Sequence, residues 1–264
     1  MALLEVENLG IGFPIGGRIV EVVRGVSFSV EAGEAVGLVG ESGSGKSQTA
    51  LAIMRLLRSP GRITRGAIRL DGLDLTQADE PTMRSLRGGA VSIVFQDALS
   101  GGMRQRVLIA MAVACEPKLL IADEPTTALD VTVQAQIVAL LRDLRERLGL
   151  SLLFITHNLD LMGEICSRAV VLYGGMLMED APVETLFTAP CHPYSRALLD
   201  CVPRLEDDPG VLRPIEGASF TLSKAGSGCP FSSRCPLEEA RCGRERPPEF
   251  GPATHRVACW RAQP

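Results

Sequence analysis

The stretch Gly40-Glu41-Ser42-Gly43-Ser44-Gly45-Lys46-Ser47 fits the spacing G-x-x-x-x-G-K-[ST] at every fixed position. A loop of this kind wraps a phosphate group. Its glycines let the backbone turn N–H groups inward, and the start of a following helix adds partial positive charge. Lys46 can reach the β- and γ-phosphates, and Ser47 can set its hydroxyl on Mg²⁺. Polar residues that each close an apolar run suit the rest of that chemistry. Asp123 could hold Mg²⁺ through water, and Glu124 could polarise an attacking water. Gln96 could touch both the metal and that water, and His157 could reach the γ-phosphate. Each alone has a plainer reading: a glycine-rich surface turn, a solvated Asp-Glu pair, a packed structural histidine. Their joint placement beside the loop favours the chemical reading.

The elements that must position these residues follow from the apolar pattern. Ala35 to Val39 reads as a buried strand before the loop, and Gln48 to Leu57 as a helix after it. Leu4 to Leu9 and Val26 to Val30 alternate, which predicts antiparallel strands near the N-terminus. Ala67 to Leu70 reads as a strand entering a turn at Asp71-Gly72. Val91 to Phe95, Leu119 to Ala122 and Leu152 to Ile155 read as core strands, ending at Gln96, Asp123-Glu124 and Thr156-His157. Arg104 to Cys115 has helical spacing, with Pro117 as a stop. Asp130 is a candidate N-cap for a helix over Val131 to Leu148. Val170 to Tyr173 and Met176 to Glu179 read as a hairpin around Gly174-Gly175. Strands separated by helices imply a largely parallel sheet, whose C-terminal strand ends form the ligand edge.

The chain has 264 residues, 46% of them hydrophobic, enough for one large domain or one domain plus a small appendage. A net charge of -4 gives no bulk attraction for nucleic acid, and the arginines at 55, 58, 62 and 65 read as a solvated face. No apolar run reaches the length of a membrane span, and the N-terminus lacks the order of a secretory signal. A cytoplasmic location is expected. The chain has eight cysteines, and a disulfide framework does not suit that compartment. Cys115, Cys166, Cys191 and Cys201 are scattered; Cys229, Cys235, Cys242 and Cys259 bunch in a tail rich in Pro, Gly and Arg. The composition shift predicts a boundary near Phe187, giving units over 1–187 and 188–264.

Three further stretches carry a resemblance. Leu99-Ser100-Gly101-Gly102-Met103-Arg104-Gln105-Arg106 resembles the signature motif of ATP-binding cassette (ABC) transporter ATPases. Asp123-Glu124-Pro125-Thr126-Thr127-Ala128-Leu129-Asp130 resembles their second acidic motif running into the dimer loop, and Thr156-His157 their switch histidine. The resemblance covers almost the whole chain. It implies an α/β phosphate-loop NTPase core with N-terminal antiparallel strands, binding ATP and Mg²⁺. It also implies a head-to-tail dimer in which Ser100, Gly101, Gly102 and Gln105 of one subunit close on the nucleotide of the other. Phe13 resembles the aromatic that stacks on adenine; a half-buried strand residue is the equal alternative. His192-Pro193-Tyr194 and the residues up to Leu205 are similar to the C-terminal extension of oligopeptide and dipeptide importer ATPases. That implies membrane permease subunits as partners, an identical or sister ATPase subunit, an external solute-binding protein acting indirectly, and a place on the cytoplasmic face of the membrane. A soluble ABC-type ATPase acting on nucleic acid fits neither the acidic balance nor this tail. In the resembling group the tail cysteines ligate an iron–sulfur cluster. The spacing here is C-x₅-C-x₆-C-x₁₆-C. Four thiolates suit [4Fe–4S] or Zn²⁺; the lack of a C-x-x-C pair weighs against a zinc ribbon, and four unligated thiols are the remaining alternative.

The sequence departs from this family at one place. There a helical subdomain, which docks on the permease, sits between the glutamine loop and the signature motif. Here only Asp97 and Ala98 separate Gln96 from Leu99. Three residue steps span at most ~10 Å, whereas a helix over Arg104 to Cys115 is about 18 Å long. The expectation is that Gln96, or one end of that helix, moves or unwinds. Nucleotide binding should survive, and permease coupling is put in question, with a truncated ATP-binding module as the alternative function. Asn158 stands where the family usually has an acidic residue, a change expected to be minor.

Overall fold

A computed structural model describes residues 2–95, 101–202, 214–222 and 226–262. Two sheets share the chain. The first is antiparallel: β1 (Ala2–Ile15) lies between β2 (Arg18–Glu31) and β4 (Arg62–Leu70), with the short β5 (Leu73–Asp74) at its edge. The expected N-terminal strands are therefore present and longer than their alternation indicated. The second sheet is built around β3 (Ala35–Val39), in the order β11-β10-β9-β3-β8-β7-β6. Here β6 is Val91–Val94, β7 Leu119–Asp123, β8 Ser151–Thr156, β9 Arg168–Tyr173, β10 Met176–Pro182 and β11 Arg256–Val257. From β6 to β9 the neighbours run parallel, and the β9–β10 hairpin and β11 add antiparallel strands.

Alternation along the central strands makes two cores. Val36 and Leu38 of β3, with Leu153 and Ile155 of β8, face the antiparallel sheet. Ala35 and Val39, with Leu152 and Phe154, face the helical side. Each fully buried Val, Leu or Ile contributes about 1.5–3 kcal/mol relative to exposure, which fixes the sheet that carries the strand ends.

The helices are α1 (Lys46–Ile53), α2 (Glu80–Leu86), α3 (Gly102–Val113), α4 (Val131–Leu148), α5 (Leu159–Ile165), α6 (Val183–Thr188) and α7 (Pro193–Asp200). The sequence pattern runs α1 on to Leu57, but it stops at Ile53. Arg55 takes a left-handed φ of 53°, and its guanidinium donates to Leu75 O and Thr76 O, tying the chain to another segment. Helix α4 has the expected bounds. Asp130 Oδ1 accepts from Val133 N at 3.0 Å, and Gly149 closes the helix in the αL conformation. Helix α2 has no counterpart in the sequence reading; Asp79 caps it by accepting from Thr82 N. Helix α3 is continuous over its described length and packs on β6 and α4. Its start is tight, since a Cβ on Gly102 would lie 2.5 Å from Val133. The helix therefore stays wound, with its signature end held against the chain's own core. Gln96 and Ser100 lie outside the described residues. No helix among the described residues is long and apolar enough to cross a membrane.

Candidate nucleotide site

The loop from Gly40 to Ser47 leaves β3 at the C-terminal edge of the parallel strands and enters α1. Gly40 has a φ of 149°, and a Cβ there would lie 2.1 Å from Leu172 O, so the loop can start only with a residue that lacks a side chain. Gly45 precedes α1 at a φ of 99°, with no capping side chain and no acidic residue in the first turn. That leaves the helix start suited to an anion. Ser42 and Gly43 form the exposed crest, and Ser44 is buried beneath it.

Lys46 is buried, and its Nζ donates to Gly40 O at 2.7 Å and Glu41 O at 3.0 Å. Burial draws its pKa down, against the opposing pull of Glu124, Asp123 and Glu41. Ser47 Oγ donates to Asp123 Oδ1 at 3.0 Å. Asp123 ends β7, where burial raises its carboxyl pKa while the Ser47 hydrogen bond lowers it. Hydroxyl and carboxylate meet where a hard cation with oxygen ligands would sit.

Glu124 has a left-handed φ of 48° and donates its amide to Ile155 O of β8 at 2.9 Å. Its Oε2 accepts from Thr127 Oγ1 at 2.8 Å and lies 3.4 Å from His157 Nδ1. The side chain of His157 is exposed, following the end of β8. Asn158 caps α5 by accepting from Asp160 N and Leu161 N, so the residue at the expected acidic position does a helix-capping job. Phe13 is half-buried in β1. Its ring lies against Gly61, where a Cβ would be 2.5 Å away, and against the antiparallel core. Gly101 is the N-cap of α3, whose Gln105 is buried.

Two residues missed in the sequence hold Glu41, and a third, Tyr173, backs one of them. Tyr194 Oη accepts from Glu41 N at 2.8 Å. Arg234 Nη1 donates to both Glu41 carboxylate oxygens, at 2.9 and 3.0 Å, and to Tyr173 Oη at 2.9 Å. Glu41 therefore faces the tail, and only its carbonyl turns to Lys46. Tyr194 sat within a stretch that carried only a resemblance, and nothing local marked Arg234.

In the tail, Cys229, Cys235, Cys242 and Cys259 line one small enclosed cavity with His192 and Trp260. Burial pushes the Cys229 thiol up to about 12 and raises Cys235 as well. Trp260 Nε1 is buried with no hydrogen-bond partner. A second group, Glu179, Cys191 and His255, brings its donor atoms within 4.8 Å of one another. There Glu179 accepts from Cys191 N and His192 N, and its Oε1 lies 2.9 Å from His255 Nε2.

A parallel sheet with a phosphate loop after its central strand β3, and acids closing β7 one strand beyond β8, defines a phosphate-loop nucleotide-binding core. Comparison with known proteins agrees. The ABC transporter profile matches residues 23–99 and 95–127, and the oligopeptide/dipeptide transporter C-terminal region matches 178–242. A probable peptide ABC transporter ATP-binding protein, y4tR, of Sinorhizobium fredii is 38% identical over 98% of this chain and 95% of its own length. The oligopeptide transport ATP-binding protein OppD of Salmonella typhimurium is 38% identical over 98% and 93%. Among solved structures, the dimeric cassette MJ0796 in a post-hydrolysis state with ADP and Pi superposes with a TM-score of 0.62 at 23% identity. It covers 68% of this chain and 98% of that one. The chain belongs to the ABC transporter family, as an ATP-binding subunit of the peptide-importer group. The alignment with y4tR runs over 320 positions against 264 residues here, so that relative carries residues without a counterpart. The ABC transporter profile matches in two segments that overlap at 95–99, at the junction between Phe95 and the signature motif.

Proposed function

We propose that this chain binds and hydrolyses ATP to energise a membrane permease that imports peptides or related small solutes. The observation that carries this is the meeting of Ser47, Asp123, Glu124 and His157 at neighbouring strand ends beside the phosphate loop. Peptide import is supported by the names of the relatives. The division is an ATP-binding part over 1–187 and an extension over 188–264.

Ser47, Asp123 and Gln96 would hold Mg²⁺, which would offset the charge of the phosphates. Lys46 turns from Gly40 O and Glu41 O toward the γ-phosphate, and the amides of the loop cradle the chain of phosphates. Glu124, oriented by Thr127, accepts a proton from the attacking water. His157 holds the γ-phosphate, and Phe13 packs on the adenine. Gly101, Gly102, Ser100 and Gln105 serve the nucleotide of the opposite subunit, identical or sister, with Asp130 in the dimer loop. The pair works on the cytoplasmic face against permease subunits, and an external binding protein delivers the solute.

For the tail we propose a [4Fe–4S] cluster on Cys229, Cys235, Cys242 and Cys259. A shared cavity and an unpaired Trp260 Nε1 beside it suit a sulfur-rich group. Tetrahedral zinc would draw four thiolates to within ~3.8 Å of each other. Among the described residues, the group with donor atoms within 4.8 Å is a different one. The cluster would staple a segment poor in aliphatic residues.

The profile match in two segments motivates a second reading, a module that binds ATP without coupling to transport. The comparisons give it no greater support. Steady ATP turnover, with membrane recovery beside the permease from the neighbouring genes, separates the two. Recovery and solute-stimulated turnover support the importer; binding with neither overturns it.

A further inference from the structure

We propose that the C-terminal extension positions the phosphate loop. Tyr194 and Arg234 hold Glu41, so that nucleotide affinity is set partly from the tail. This rests on the reading of Gly40–Ser47 as the nucleotide loop and adds a control on it.

Glu41 is the second residue of the loop, and two of its three polar groups, the amide and the carboxylate, are held by the tail. Its amide donates to Tyr194 Oη, and its carboxylate takes a two-pronged contact from Arg234 Nη1. Its carbonyl is one of the three acceptors of Lys46 Nζ, with Gly40 O and Ser44 Oγ. A shift of Glu41 therefore moves the lysine that must reach the γ-phosphate.

The clasp is rigid on the tail side. The Arg234 side chain is 4% exposed. Nε donates to Glu216 O at 3.0 Å and Nη2 to Ile215 O at 2.9 Å, so the guanidinium is held in place from behind. Tyr173 Oη accepts from Arg234 and from Phe220 N. The Tyr173 ring packs at 4.5 Å from Tyr194 and 5.3 Å from Phe231, and Tyr194 lies 5.2 Å from Phe231. Tyr173 ends β9, beside the loop-bearing β3. A buried, charge-assisted contact of this kind is stronger than a surface ion pair. Arg234 also adjoins Cys235, so the cysteine lobe and the phosphate loop share one side chain.

The test uses the full chain and Mg-AMPPNP as the probe. Tyr194→Phe removes the acceptor of the Glu41 amide and keeps the ring. Arg234→Lys keeps the charge and loses the fork. Each should weaken the calorimetric Kd by about tenfold, equivalent to ~1.4 kcal/mol, and raise KM with kcat little changed. In a Glu41→Ala background Arg234→Lys should add nothing further, because both act through one contact. Linkage requires the converse: the probe should slow amide exchange at Phe231–Cys235 in the parent chain and less in Tyr194→Phe. Kd values within twofold of the parent in both variants, with unchanged melting, overturn the proposal. So does a full tenfold loss from Arg234→Lys in the Glu41→Ala background. A parent chain that takes up no probe, or uptake that Lys46→Ala leaves unchanged, overturns the nucleotide reading itself, and this inference with it.

Discussion

Ser47 Oγ donates to Asp123 Oδ1 across 3.0 Å, joining the first turn of α1 to the end of β7. One hydrogen bond thus links the two motifs that would tend Mg²⁺, which lie 76 residues apart in the chain. Asp123→Asn keeps the shape and removes the charge. It should weaken Mg-nucleotide binding by about tenfold or more, a change of ~1.4 kcal/mol, while metal-free nucleotide binding changes little. Titrations with and without Mg²⁺ check this. Equal losses in the two would remove Asp123 from the metal.

Glu124 is held at both its backbone and its side chain. Its φ of 48° is strained for a residue with a side chain, and Thr127 Oγ1 fixes one carboxylate oxygen. Glu124→Gln should lower turnover by roughly 10²–10⁴-fold with nucleotide affinity retained. Thr127→Val should cost less, since it frees the carboxylate without removing it. Turnover that survives Glu124→Gln would take the base role elsewhere.

What the sequence made legible is what is local. The strand, loop and helix around Lys46 are contiguous, and Asp130 signals the helix it caps within three residues. The strand ends at Asp123 and Thr156 were readable because fully buried runs show as continuous apolar stretches. Arg234 is different. It meets Glu41 across 193 residues, and no period or spacing encodes such a pairing. The end of α1 was misjudged for a similar reason, because Arg55 leaves the helix to bond a distant segment. Phe13 shows the opposite case. An aromatic on a strand suits both adenine stacking and packing in the sheet, and contact of its ring with Gly61 and the antiparallel core leaves the two readings side by side.

Helix α3 carries an exposed apolar stripe. Met103 is 82% exposed, Val107 57% and Met111 69%, at steps of four along one face. Exposed apolar patches of this kind promote association. A triple substitution to Gln should reduce concentration-dependent light scattering and leave the melting temperature within a few degrees, because no buried contact is lost. A collapse in melting temperature would mean that the stripe is packed in solution.

Asp130 allows stability and assembly to be separated. Its carboxylate accepts from Val133 N at the start of α4. Asp130→Ala should cost about 1 kcal/mol, lowering the melting temperature by ~2–4 °C for a chain of this size. Asn caps as well as Asp, so Asp130→Asn should melt with the parent. Any loss of nucleotide-driven dimerisation in Asp130→Asn then reports the dimer-loop charge alone, because the helix beneath it is intact. Sedimentation with Mg-AMPPNP measures it. A parent-like dimer in Asp130→Asn alongside a parent-like melt would confine Asp130 to capping.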